Sequence, residues 1–476
     1  MSDKNVAESN DLTRRDVVKI AGAATVAAAA SQLQGAPFIQ KVKAANDQVQ
    51  YGMVGTGSRG SYLLKHLKGI DNGRCIAICD INDTALGRGA ETIGTNPRKY
   101  KDYRELLSQK DIDAVFVVTP LFEHFRVTKD VLLAGKHVFC EKSLVFRPEE
   151  VHALRQLSHE RPKQILQVGL QRRYSKMYQA ARQMIEKGLL GDVTHVHAQW
   201  HRNPGWKMKP DQPKLANWRL FREFSGGLVA ELASHQIDIA DWMLGMTPES
   251  VIGDGSLDFS KDGRDVYDQI QLVYRYPKGR RMVYTSIPTC SHLPLLNGQR
   301  NEMGEMIMGT QGAIHITVGF DEALPTGIWF QEPNPPKVDE KKKKDEKWVA
   351  GATMKAAKPG QSLPILLDRD LMSGKESFIE KEMKFARRWL YAKGIMVPEE
   401  DVNPVDTQLA SFFEDVKAVR TPRANLEVGM QDSIAVILSN LAMDEQRRVY
   451  FNEIEKMGRT PAEPAKPAAA APVKRG

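Results

Sequence analysis

Gly55-Thr56-Gly57-Ser58-Arg59-Gly60 constrains the fold of this chain more than any other stretch of it. The string follows an apolar run, Val49 to Val54, that reads as a buried strand, and it opens a stretch of helical periodicity through Leu67. Twenty residues after Gly60, Asp80 closes a second apolar run, Arg74 to Cys79. In that setting the three glycines have separate roles. Gly55 permits a tight turn, Gly57 lets the backbone approach a pyrophosphate, and Gly60 lets the helix pack closely on the sheet, with the amides of the first helical turn facing the anion. Asp80 is placed to accept hydrogen bonds from the adenosine ribose hydroxyls and to repel a 2′-phosphate, which favours NAD over NADP. Arg59 and Arg88 are the nearby cations able to offset that repulsion.

The pattern continues as alternating apolar runs and helical periods. Ala114 to Val118 ends in Thr119-Pro120, His137 to Cys140 ends in Glu141-Lys142-Ser143, and Ile165 to Gly169 completes the series. Continuous apolar strands joined by crossover helices predict an α/β domain with a doubly wound parallel sheet over residues 46–170, whose chemistry gathers at the carboxyl ends of the strands. Beyond Gln171 the character changes. Val193 to Arg202 alternates like a strand exposed on one face, Gly226 to Leu244 reads as a helix, and Val251 to Thr285 supplies strands separated by turns such as Asp262-Gly263. This predicts a second α/β domain, residues 171–458, with an open sheet that is largely antiparallel or mixed. Helices are expected near Ser411 to Val419 and Met430 to Leu441, an exposed Lys/Pro-rich insertion at 333–364, and a disordered Pro/Ala tail at 459–476.

Charge argues against a nucleic-acid partner. The net +8 is spread: residues 1–45 hold six Lys/Arg against four Asp/Glu and residues 459–476 hold four against one, which leaves +3 for the rest. No basic stripe interleaved with aromatics remains, and the run Lys341 to Lys344 is flanked by Asp339, Glu340, Asp345 and Glu346, as a solvated loop would be. Residues 1–45 read as an export signal. Thr13-Arg14-Arg15-Asp16-Val17-Val18-Lys19 has the twin-arginine form, and Ile20 to Ala30 is too short and too weakly apolar to anchor stably in a bilayer. Cleavage is expected near Ala44-Ala45, with Ala28 to Ser31 as the alternative. Cys75 and Cys79 sit four residues apart on one strand, about 13 Å, beyond disulfide reach, and read as small core side chains.

Taking hydride from a carbinol carbon requires that its hydroxyl proton leave as well, so a base is needed near the nicotinamide. Lys142, at a strand's carboxyl end, is one candidate. Glu231, His235 and Asp238 are spaced i, i+4, i+7 and so form one stripe of a helix, with Leu232, Ile239 and Trp242 on the opposite stripe to bury. Around the expected cleft lie Trp200, His201, Arg202, Asn203, Trp206, Trp218 and Arg219, and Gln171 to Tyr174 enter from the domain junction. Aromatic faces with polar donors suit a carbohydrate, and Arg172, Trp200, Arg202, Trp218, Arg219 and Asp238 are the substrate-binding candidates. His195, His197 and His201 share one face of a strand, which suits an interface or a satisfied sheet face better than a metal, and no metal site is expected.

These motifs together, with His124 and the run Ala134-Gly135-Lys136-His137-Val138-Phe139-Cys140-Glu141-Lys142, resemble the Gfo/Idh/MocA family, that of glucose-fructose oxidoreductase and inositol dehydrogenase. The resemblance covers roughly residues 48–320. It implies a Rossmann domain plus an open-faced α/β domain whose sheet often forms a dimer interface, and sugars or cyclitols as substrates. Carried over, Thr119, Pro120, His124, Glu141 and Lys142 line the cofactor site with the glycine loop. Lys142 holds the substrate hydroxyl beside the nicotinamide, His235 is the acid/base, and Glu231 takes the place of an aspartate. Three positions depart from the pattern: Ser143 stands for a proline whose bond is commonly cis, Glu231 is one methylene longer, and Ala233 replaces a glycine.

Export and NAD together constrain mechanism. Free NAD is expected to be scarce beyond the inner membrane, so the cofactor must be loaded during cytoplasmic folding, carried through the twin-arginine translocase and recycled on the enzyme. The expectation is a periplasmic, or otherwise exported, homo-oligomeric oxidoreductase acting on a CH–OH group of a sugar, glycoside or cyclitol, with no nucleic-acid partner. The alternatives are redox-neutral glycoside cleavage by oxidation and elimination, and a catalytically inactive sugar-binding protein.

Overall fold

A computed structural model describes residues 48–201, 206–288, 293–294, 300–301, 303–318, 327–331, 362–367, 390–395 and 402–458. The expected export signal and tail, Arg202, Asn203, Cys290 and nearly all of the Lys/Pro-rich insertion lie outside the described residues. Among the described residues no helix is long and apolar enough to cross a membrane.

The first sheet is built from β1 (Val49–Val54), β2 (Gly73–Cys79), β3 (Arg98–Tyr100), β4 (Ala114–Val117), β5 (His137–Cys140) and β6 (Leu166–Val168), in the order β3-β2-β1-β4-β5-β6. Every neighbouring pair is parallel. All four residues of β4 are buried, as an apolar strand covered on both faces by helices must be. The crossover helices include α1 (Ser58–Leu67) and α2 (Asp83–Ile93), then α3 (Tyr103–Leu107), α4 (His124–Leu133) and α5 (Pro148–His159). Because the order reverses between β1 and β4, the loops after those strands open a crevice at their carboxyl ends.

The second sheet holds β7 (Val193–Trp200), β8 (Ser250–Ser256), β9 (Gln269–Arg275), β10 (Arg281–Ser286), β13 (Met303–Gly309), β14 (Ala313–Val318), β15 (Gly327–Gln331), β16 (Ser362–Leu367) and β17 (Val449–Tyr450), while β11 (Leu293–Pro294) and β12 (Arg300–Asn301) form a small ribbon. Its order is β16-β15-β14-β13-β7-β10-β9-β8-β17, with β7 and β10 parallel and the other pairs antiparallel. Val196, Ala198 and Trp200 of β7 face the core, whereas His195 and His197 on the other face are half-buried. His201 does not share their setting. It is fully buried just beyond the strand, where its Nδ1 accepts from the Ile287 amide at 3.1 Å.

Two features depart from the sequence reading. The segment expected as one helix from Gly226 begins with a π-helical turn, Val229–Ala233, before α7 (Ser234–Leu244), following α6 (Lys176–Glu186) in chain order. Late in the chain, α8 (Pro404–Ala418) packs back on the parallel sheet, and it starts well before the expected Ser411 because Asn403 caps the Val405 amide and Pro404 occupies the first turn. Phe412 and Phe413 of α8 stack against Tyr51, Phe116 and Phe139 of the parallel sheet, and Gln167 and Gln408 exchange amide hydrogen bonds with the other chain segment at 3.0 Å each. The last long helix, α9 (Leu426–Asp444), follows.

Candidate active site

The glycine loop has the shape its sequence predicts. Gly55 sits at φ +97°, where a side chain would drive into the Val118 carbonyl, and a Cβ on Gly60 would collide with the Gly55 carbonyl. Gly57 is the N-cap of α1 and carries no capping side chain, and a Cβ there would meet nothing within 4 Å. Open space over uncapped helix amides, with the buried Thr119 hydroxyl also lacking a protein partner, fits a bound pyrophosphate and its dinucleotide. Ser58 is exposed at the helix start, and Pro120 is half-buried beside Thr119.

Asp80 orders this loop as well as facing it. Its Oδ2 accepts from the Thr56 amide at 2.7 Å and the Thr56 hydroxyl at 3.2 Å, and Oδ1 accepts from the Asn82 amide at 2.8 Å. The carboxylate is thereby fixed with lone pairs remaining for ribose hydroxyls. Arg59 is engaged elsewhere: Nε donates to Glu141 Oε1 at 2.7 Å, from the start of α1 over β4 to the end of β5, with Tyr62 under the guanidinium. Arg88 lies exposed on α2. His124, expected to line the cofactor site, is held between two loops. Its ring nitrogens meet the Thr119 carbonyl at 2.9 Å and the Ser143 carbonyl at 2.7 Å, so the buried ring ties together the loops after β4 and β5.

Lys142 extends from the end of β5 to the second domain, donating from Nζ to the carbonyls of Ala230 and Glu231 at 2.8 Å each. The Lys142–Ser143 peptide is cis although proline is absent. Burial pushes the lysine's pKa down, against the pull of Glu231, Glu141 and Asp432, while Arg219 adds to the depression. Both carbonyls belong to the π-helical turn, and that of Ala230 also accepts from the Ser234 hydroxyl at 2.9 Å.

His235, on the first turn of α7, is buried with Nδ1 unpartnered, and its ring lies 5.8 Å from that of Trp200. Burial lowers its pKa well below the usual value, with the charges of Lys142, Arg172 and Arg59 acting in the same direction. The imidazole is neutral at neutral pH and can accept a proton. Glu231 is held by Arg219, Nε to Oε2 at 2.9 Å. Although burial opposes ionisation, Arg219 and Lys142 keep its pKa below the ordinary carboxylate range. Asp238 is paired with Arg173, Nε to Oδ1 at 2.8 Å and Nη2 to Oδ1 at 2.7 Å. The three residues therefore do not form a solvated polar stripe. Val229 to Ala240 is almost wholly buried; Glu231 is paired with Arg219 and Asp238 with Arg173, while His235 Nδ1 has no partner.

On the substrate side, Arg219 lies over Trp218 at 4.3 Å and near Trp206 at 5.9 Å, which builds an aromatic and cationic wall beside Glu231. Arg172 is buried, paired with Glu305 and flanked by the rings of Trp200 and Tyr178. Its guanidinium is taken up by Glu305 and Met303 and is not a free donor. Glu305, which also accepts from the Tyr178 hydroxyl at 2.7 Å, and Asp432 were not among the sequence candidates. Both are single acidic residues in apolar segments, and a charge in such a run was the available signal.

A glycine-rich nucleotide domain whose strand ends face a lysine, a neutral imidazole and an anchored carboxylate defines a nicotinamide-dependent oxidoreductase of two-domain build. The sequence model of the oxidoreductase family Gfo/Idh/MocA, NAD-binding Rossmann fold, matches residues 49–170, and that of the family's C-terminal domain matches residues 178–315. Together they span more than half of the chain, which belongs to this family. A myo-inositol 2-dehydrogenase of Thermotoga maritima is 29% identical over 248 residues, 50% of this chain and 70% of the relative. A glycosyl hydrolase family 109 protein of a Shewanella species is 29% identical over 181 residues, 36% of this chain and only 40% of the relative. The crystal structure of an aldose–aldose oxidoreductase of Caulobacter crescentus superposes with a TM-score of 0.63 at 19% identity, covering 85% of this chain and 99% of that one, a likeness of fold.

Proposed function

We propose that this protein oxidises a hydroxyl-bearing carbon of a sugar, glycoside or cyclitol, using an NAD that stays on the enzyme and is recycled there, and that it acts outside the cytoplasm after twin-arginine export. The observation that carries the reading is the seat of Lys142, from the end of β5, on the Ala230 and Glu231 carbonyls of the turn that leads into His235, whose Nδ1 is unpartnered. Bound NAD supplies the two-electron acceptor. Lys142 spends two of its three N–H groups on the Ala230 and Glu231 carbonyls, which leaves one to orient a substrate hydroxyl. His235, neutral and with an unpartnered nitrogen, takes the hydroxyl proton, and Glu231 with Arg219 stabilises the charge that results. NAD is favoured over NADP because Asp80 is fixed at the ribose end while Arg59 is engaged by Glu141. The half-buried outer face of β7, β9 and β10 supports assembly as a homo-oligomer.

The test is to isolate the protein from the cell envelope fraction and release its nucleotide by acid for mass analysis. A panel of sugars and cyclitols is then added while nicotinamide absorbance is followed. Bound NAD(H) that changes redox state with one of them supports the reading. Protein from which no nucleotide is recovered, and which binds none when supplied, sinks it. The similarity to a glycosyl hydrolase family 109 protein favours one second reading, redox-neutral cleavage of a glycoside. Release of phenol from an aryl glycoside without any added acceptor would select it.

A further inference from the structure

The last helix brings an acid to the site from far along the sequence. Gly429 of α9 packs so tightly on β6 that a Cβ would collide with Val168, and this close approach delivers the next turn, Asp432 and Ser433, to the loop after β5. Ser433 Oγ accepts from the Val145 amide at 3.1 Å, and the Ser143 hydroxyl donates to Asp432 Oδ2 at 3.1 Å. Asp432 is 2% exposed, and its other oxygen has no hydrogen-bond partner. Ser143 is one of the three positions that depart from the family pattern, and in this chain its hydroxyl donates to Asp432.

We propose that Asp432 is a positioning residue of the active site: it holds the Lys142-Ser143 turn through the Ser143 hydroxyl, and by keeping or releasing its own proton it decides how readily Lys142 releases one. The inference rests on Lys142 as the group beside the reacting hydroxyl. A buried carboxylate with one bare oxygen favours the neutral acid. Desolvation first, and then the charge of Asp238, push the pKa of Asp432 up to about 8, against the opposing effects of Lys142, the Ser143 hydrogen bond and Arg173. Lys142 in turn faces Glu231, Glu141, Asp432 and Arg219. With Asp432 neutral, one of the three anions that hold the proton on Lys142 is absent. With Asp432 ionised, the lysine keeps its proton more tightly, and the two groups titrate as a pair.

The experiment measures Lys142 directly. Competitive acetylation of the whole protein with acetic anhydride across pH, read by mass spectrometry of the Lys142 peptide, gives its titration midpoint without relying on turnover. In Asp432→Asn the midpoint should fall by about one pH unit, the size of one nearby buried charge. Ser143→Ala, which keeps the acid but removes its hydrogen bond, should shift it in the same direction by less. Asp432→Asn with an unchanged Lys142 midpoint overturns the proposal. Should Asp432→Asn not fold, Ser143→Ala decides alone by the same criterion. If wild-type protein reduces its nicotinamide with no sugar or cyclitol, the proposed function fails while the labelling result still judges Asp432. Where turnover is found, the pH profile of hydride transfer should move to lower pH with the labelling midpoint.

Discussion

Lys142 Nζ is bonded to the carbonyls of Ala230 and Glu231 across 88 and 89 residues of chain, so the group at the end of β5 is oriented by the first turns of the helix that carries His235. Lys142 and the turn leading into His235 are thereby joined by two hydrogen bonds from one domain to the other. Lys142→Met keeps the aliphatic stem and removes the donor. It should lower sugar-dependent reduction of the bound nicotinamide by roughly 10²- to 10⁴-fold, the usual range for a proton-handling side chain. Nucleotide recovered from the purified variant should equal wild type, since the glycine loop and Asp80 are untouched. Single-turnover absorbance and nucleotide mass analysis check the two halves.

Gly57 and Gly60 differ in a way that separates folding from binding. At Gly60 a methyl group collides with the Gly55 carbonyl, so Gly60→Ala must displace the loop or the helix and should lower the thermal midpoint. At Gly57 a methyl has open space and the backbone is at φ −60°, so Gly57→Ala should leave the midpoint nearly unchanged. That methyl occupies the approach to the helix amides, and NAD affinity should fall by about tenfold or more, equivalent to about 1.4 kcal/mol. Calorimetric titration of the nucleotide-free protein alongside thermal melts measures both.

Much of this was legible because the parallel sheet writes itself in continuous apolar runs. Val49 to Val54 and His137 to Cys140 have the bounds expected from sequence, since a strand covered on both faces is apolar throughout and its ends are marked by turn residues. β3 was missed because Arg98-Lys99-Tyr100 is a short edge strand with charged side chains and no apolar signal. Lys142, Glu231 and His235 stand out in the sequence as candidates, but the partners the structure gives them do not. Arg219, Glu305 and Asp432 reach the site by tertiary packing over separations of up to 289 residues, and spacing along one helix does not encode that. The π-helical turn escaped because its residues have ordinary helical propensity.

Asp80 serves two ends at once, and a substitution should reveal both. Asp80→Ser keeps a short acceptor for the Thr56 amide but removes the charge. Without the negative charge the 2′-phosphate of NADP is no longer repelled, so the ratio of NADP to NAD affinity should rise on the order of tenfold. The loss of the carboxylate's hold on the Asn82 amide should also weaken binding of both nucleotides. Titrations of the nucleotide-free variant with each cofactor distinguish a change in selectivity from a uniform loss.

His315 gives a stability prediction that is independent of catalysis. It sits on β14 opposite Met306, is 3% exposed, and neither ring nitrogen has a partner. Burial lowers its pKa from 6.5 to about 4. As pH falls below 6.5 the unfolded chain takes up a proton at this ring while the folded protein does not until near pH 4. Stability is therefore fully present above 6.5 and is lost as pH falls toward 4. At pH 5 the loss from this one group is about 2 kcal/mol, since each pH unit below 6.5 contributes about 1.4 kcal/mol. His315→Leu replaces the ring with an apolar side chain that has no proton to gain. Its stability at pH 7 should be equal to or above wild type, and its fall between pH 7 and pH 5 should be smaller by about that amount. Denaturant titrations of both proteins at the two pH values measure it. Equal acid losses in the two would mean that the ring is hydrated or hydrogen-bonded in solution and titrates normally.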